Sequence, residues 1–191
     1  MKTTSRTLWL ILPLLALALA ACSSGTTAFV RDDVDYSFMR RVAVLPYRNL
    51  SQDVHAATRM QSVFTTELLR RETFEVVALG EVLSAMNRMR LAADEELSED
   101  QIVALGKELG VDGLFFGTVD EYGIERVSNQ RIYVVTATFS MAETETGSLV
   151  WTSQVHQDGD SLGRKLFGGG SASQHDVSRA AVDHALGTLL R

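Results

Sequence analysis

The chain has 191 residues, 46% of them apolar and 7% aromatic, with one cysteine and a formal charge of −6 at neutral pH. A single cysteine rules out an intrachain disulfide, a CxxC redox pair and a cysteine-built zinc site. The acidic balance excludes nucleic acid as an expected partner, because a polyphosphate is bound by neutralising it with Lys and Arg.

The chain begins with two isolated cations, Lys2 and Arg6, and an apolar run from Leu8 to Ala21. As a helix that run covers about 21 Å, short of the roughly 30 Å hydrocarbon core of a bilayer. A basic start, a short apolar stretch and small residues at its end read as a secretory signal peptide over residues 1–21. The ending Leu19-Ala20-Ala21-Cys22 resembles the bacterial lipobox. That resemblance implies that Cys22 becomes the first mature residue and carries covalent acyl chains, palmitate among them. Ser23 follows it rather than Asp, which under the usual sorting rule of proteobacterial lipoproteins implies the outer membrane, with the domain in the periplasm. Loss of residues 1–21 removes two cations and no acid, leaving 170 residues of charge −8. That is enough chain for one substantial core.

Residues 23–38 are small, polar and acidic with no lasting apolar period, so 22–38 is expected to be a lipidated flexible tether. Those 16 residues reach at most about 55 Å when extended. Phe29, Val30, Tyr36 and Phe38 are its apolar exceptions and are expected to pack loosely on the domain.

A single domain is expected over 39–191. Arg41–Tyr47 is a β-branched apolar run ended by Pro46, a strand covered on both faces. A polar loop follows, in which Ser51 or Asp53 can cap the next helix. Between Val54 and Arg71, Ala57, Met60, Phe64 and Leu68 fall at helical spacing. Phe74–Ala78 is a short strand, and a helix from about Gly80 to Leu91 carries Val82, Leu83, Met86 and Met89 as its core stripe. After the acidic turn 92–96, Ser98 and Gln101 form a capping box for a helix carrying Ile102, Val103, Leu105 and Leu109, which stops at Gly110. Asp112–Val119 is a third strand, with Gly113 and Gly117 marking bulges or close backbone approach. Arg131–Met141 alternates as a fourth strand through Ile132, Val134, Thr136 and Thr138. The run Glu143–Gly147 turns the chain into a fifth strand, Leu149–Val155. Residues 158–174 form a Gly- and Ser-rich loop. A closing helix from about Asp176 carries Val177, Ala181, Ala185 and Leu189. The order βαβααβββα is an α/β sandwich (α+β in layering), a mixed sheet packed by helices.

No catalytic constellation emerges. His175 and His184 lie nine apart on one helix and face opposite ways, while His55 and His156 have no local partner of metal-ligand spacing. Asp158-Gly-Asp160 lacks the remaining ligands of a calcium loop. Gly168–Ser171 follows no strand and has no Gly-Lys-Ser/Thr, so it is no phosphate loop. No Gly-x-Ser-x-Gly elbow is present. No metal, cofactor or small-molecule substrate is expected beyond the lipid on Cys22. One segment stands out: Arg164-Lys165-Leu166-Phe167 precedes Gly168–Gly170 in a long loop with no other reason to be apolar. It is a candidate contact for a partner surface or for lipid headgroups; the alternative is that Leu166 and Phe167 fold back on the core.

Four stretches carry a family resemblance: Arg41–Ser51, Glu67–Val77, Gly110–Val119 and Glu145–Trp151. Their succession resembles the domain shared by the CsgG, PelC and LpoB envelope lipoproteins, with a related fold in the N-terminal domain of TolB. The resemblance covers residues 41–157 well and the last helix loosely. It implies a non-enzymatic, outer-membrane-anchored protein that binds envelope proteins, or copies of itself, in envelope assembly or export. The alternative it implies is an activator docking on a peptidoglycan synthase; a cell-wall hydrolase is the third reading. CsgG-like proteins add spanning hairpins of about 9–11 alternating residues per strand. Here only the domain's own hairpin is long enough. LpoB-like activators cross the periplasm on a long arm, and a reach of about 55 Å keeps this domain near the outer membrane.

Overall fold

The computed structural model describes residues 26–34, 36–92, 95–127, 130–160 and 172–190. Its strands are β1 (Thr26–Val30), β2 (Arg41–Val44), β3 (Arg48–Asn49), β4 (Glu75–Val76), β5 (Gly113–Val127), β6 (Gln130–Glu143) and β7 (Leu149–Asp158). Its helices are α1 (Ala56–Arg70), α2 (Leu79–Arg88), α3 (Glu99–Leu109) and α4 (Gln174–Leu189). The strands form one sheet in the order β1-β7-β6-β5-β2-β4, with β3 also paired to β5. Pairing is parallel among β2, β3, β4 and β5, and antiparallel from β5 through β6 and β7 to β1. This is the mixed α/β sheet expected, with β1 and β3 added to the expected order.

Local sequence explains most of the framework. In β2, Val42 and Val44 join one buried cluster and Ala43 the other, so the run is apolar throughout because both faces are covered. The α1 stripe Ala57, Met60, Phe64 and Leu68 is buried as spaced. Asp53, not Ser51, holds the entry to α1: its carboxylate accepts the His55 backbone N–H at 2.8 Å and pairs with Arg59 at 2.7 Å. Those contacts hold the carboxyl below the usual range, the His55 bond most of all. The Ser98–Gln101 capping box opens α3, and Gly110 ends it in the left-handed region at φ 62°. The Arg41 guanidinium then donates to the Leu109 and Gly110 carbonyls at 2.8 and 3.1 Å, a cation on the negative end of α3.

Four expectations need correction. Residues 26–30 are not tether: they pair with β7 from Thr26↔Val155 to Val30↔Trp151. Tyr36 adds to that seal by donating its hydroxyl to the Val150 carbonyl at 2.8 Å, whereas Phe29 and Phe38 stay exposed. Strand β5 does not stop at Val119. It passes a bulge between Val119 and Glu121 and runs to Val127, paired with β6 as far as Gln130. That bulge lies at Asp120, while Gly117 is the close backbone approach, one of the two expected readings, with an added Cβ lying 2.7 Å from the Thr138 carbonyl oxygen. Leu83 is exposed, because the helical stripe of α2 that meets the sheet is Val82, Ala85 and Met86.

The two faces of the sheet carry separate cores. On one, α1 and α4 cover Phe115, Phe139, Met141 and Trp151. Phe64 of α1 stacks on Phe139 with centroids 5.3 Å apart, and Trp151 donates its indole N–H to Thr188 of α4 at 2.9 Å. On the other, α2 and α3 enclose Ala43, Leu45, Val82, Leu105 and Leu114.

Candidate functional site: an open sheet face and its groove

Helices α2 and α3 reach only β2 and the ends of β5 and β6 nearest them. Among the described residues no helix lies over the rest of that face. Its side chains follow from the strand register: Phe116↔Ser140↔Thr152, Thr118↔Thr138↔Gln154 and Glu121↔Thr136↔His156. Threonine suits such a surface, since its branched Cβ fits a pleated strand while its hydroxyl stays solvated. The alternating set Ile132, Val134, Thr136 and Thr138 thus places its threonines on the open face. The stripe of β6 facing the main core is Val135, Ala137, Phe139 and Met141.

Where the open face meets α2 and α3, a groove of about 320 Å³ forms. Leu45, Pro46, Met86, Ile102, Phe116 and Leu149 give it an apolar lining, with Thr118, Thr138 and Ser140 from the sheet and Arg48, Glu95 and Glu96 as its charges. The β6–β7 turn is fixed against α3 beside it. Gly147 adopts φ 80° and sits so close to Glu99 that a Cβ would come within 2.5 Å of the Glu99 carbonyl oxygen. A concave apolar lining with a few convergent polar groups is a binding surface in form.

The polar ladder on this face has a definite chemistry. Thr136 Oγ1 donates to Glu121 Oε2 at 3.0 Å and lies 2.8 Å from His156 Nδ1, so the imidazole supplies the proton of that second bond. A hydrolytic triad needs the opposite order, the hydroxyl giving its proton to the imidazole and the carboxylate behind the imidazole. The ladder is therefore a cross-strand polar row.

Other sequence candidates fall apart in space or outside the described residues. His55, His156, His175 and His184 are exposed at separate places, and among the described residues no three His, Cys, Asp or Glu gather as metal ligands. Asp158 Oδ1 accepts the Asp160 N–H at 2.9 Å, a local turn bond. Leu19, Ala20, Ala21, Cys22 and Ser23 lie outside the described residues, as do Arg164, Lys165, Leu166 and Phe167. Sequence reading missed the groove. Its one signal was the threonine row on β6 with Phe116 and Leu149 at positions of the same face.

The family described as peptidoglycan-synthase activator LpoB matches residues 33–156, from the segment before β2 to near the end of β7. No curated protein matches the chain. Among solved structures, a variant of the PelC dodecamer from Paraburkholderia phytofirmans is similar at TM-score 0.60 and 15% identity, over 86% of this chain and 97% of that one. Lipoprotein GNA1162 from Neisseria meningitidis is similar at TM-score 0.56 and 20% identity, over 78% of this chain and 97% of that one. These two are likenesses of fold.

Proposed function

The chain belongs to the peptidoglycan-synthase activator LpoB family, and from that premise we propose that it is a non-enzymatic activator that docks on a peptidoglycan synthase. The observation carrying this reading is that the matched residues include every strand and helix lining the groove. A mechanism follows from the shape: the groove takes an apolar segment of the synthase, and binding favours the polymerising conformation by as much as it prefers that conformation. The lipobox supports an anchor at Cys22 in the outer membrane, with the domain in the periplasm. Each buried CH₂ contributes about 0.8 kcal/mol, so several acyl chains hold where one of myristoyl length binds only marginally. Acylation is checked by palmitate incorporation, which Cys22→Ser abolishes.

The functional test is glycan polymerisation by a synthase of the same envelope, with and without the lipidated chain. Stimulation is expected; equal rates, with no complex detected, overturn the proposal. Glycan turnover by the chain alone would instead favour the hydrolase reading. A second reading, an assembly or export accessory built from several copies, is favoured by the two sheet edges, β1 and β4, which have no outer partner strand among the described residues. A monomeric mass in detergent would remove it.

A further inference from the structure

Beyond its pairing with β7, which begins at Val134↔Asp158, the β5–β6 hairpin continues as a two-stranded arm. This arm points the same way as the N-terminus of β1. Thr26 lies level with Val155 and Ala137, and from Ala137 the β6 strand continues seven residues to Gln130. At about 3.3 Å per residue the arm's tip stands roughly 23 Å beyond Thr26. Cys22 is only four residues before Thr26, a reach of at most about 14 Å. With Cys22 held in a membrane no more than about 14 Å from Thr26, an arm of roughly 23 Å is long enough to reach the level of the anchor.

The composition of the arm fits that placement. Ile124 pairs with Tyr133 and Arg126 pairs with Arg131, and strand alternation puts all four on one face, with Glu125 on the other. Ile124 is 45% exposed, and both arginines are exposed without an ion pair among the described residues. Like charges directly opposite each other on a hairpin destabilise it unless an anion lies between them. An aliphatic side chain and two cations are residue types that settle at a bilayer interface. They stand out against a chain of formal charge −6. We propose that the arm, through Ile124, Arg126 and Arg131, seats on the phosphate headgroups of the membrane that holds Cys22, with Tyr133 half-buried against the main core behind them. The inference rests on the lipid-anchor reading. It makes the domain a fixed, oriented body on the bilayer, with the β6–β7 turn pointing away from it.

The test uses the lipidated chain in phosphatidylethanolamine–phosphatidylglycerol vesicles with brominated acyl chains. A fluorophore is attached at Glu125→Cys on the arm or at Glu145→Cys in the β6–β7 turn. Bromolipid should quench the label at 125 and spare that at 145, while aqueous iodide does the reverse. Arg126→Gln with Arg131→Gln should remove the bromolipid quenching while the chain still floats with the vesicles and keeps its thermal midpoint. Flotation with equal quenching at both positions overturns the inference and leaves the anchor standing. Labelling of the unsubstituted chain at Cys22, with no flotation, overturns both. Loss of synthase stimulation by the double variant in detergent, with bromolipid quenching unchanged, would make the arm a protein contact and overturn it as well.

Discussion

The two faces of this sheet are one residue apart in sequence and far apart in physics. Phe115, Phe139 and Trp151 point under α1 and α4 and are wholly buried, while their neighbours Phe116, Ser140 and Thr152 point to the face that α2 and α3 cover only in part. One side is filled with aromatic rings in contact, the other with hydroxyls and a groove. In β6, alternation lets Val135, Ala137, Phe139 and Met141 hold the main core and leaves Thr136, Thr138 and Ser140 on the open face. Mutations should divide along that line.

The largest effect is expected from Trp151→Ala, which opens a cavity at the centre of the closed face and removes the bond to Thr188. A loss of about 3–5 kcal/mol in urea unfolding is predicted, a large part of a typical domain's stability. Arg41→Ala should come next, at about 1–2 kcal/mol, since it uncaps α3 while removing no core volume. Tyr47→Phe should be neutral or stabilising by up to about 1 kcal/mol, because the buried hydroxyl has no hydrogen-bond partner among the described residues. Burial raises the Tyr47 phenol well above its ordinary 10. Its contribution is therefore full below pH 10, where both states are protonated, and is lost as pH rises and the unfolded phenol ionises. The alkaline decline should be shallower in Tyr47→Phe. At the other end of the scale, Asp53 and Asp176 are held below the usual carboxylate range, chiefly by the backbone N–H of His55 and by the Ser173 side chain. Their stabilisation is present above about pH 4 and is lost as pH falls through the lowered values. Phe116→Ser should cost far less than Trp151→Ala, about 1 kcal/mol in thermal unfolding, since Phe116 is only partly buried against the core under α2 and α3; a loss as large as that of Trp151→Ala would mean that the open face is a second closed one.

How much of this was legible in the sequence depended on range. Features set within one element were readable: the α1 stripe, the Ser98–Gln101 box, the Gly110 stop and the turn at Gly147. Strand β1 was not, because five residues without clear alternation acquire meaning only from β7, more than a hundred residues later. The far half of β5 was hidden by the bulge at Asp120, which shifts the alternation and makes Gly123, Glu125 and Arg126 resemble a loop. The groove was hidden for a further reason: Leu45, Met86, Ile102, Phe116 and Leu149 come from five separate segments.

The claim that the open face is the working face is tested most directly by stimulation of glycan polymerisation with Phe116→Ser/Thr138→Arg in the lipidated chain. Both positions face the groove and neither touches the closed core. This variant should keep its thermal midpoint within a few degrees and lose stimulation of the synthase. Full stimulation by a folded variant would contradict that claim.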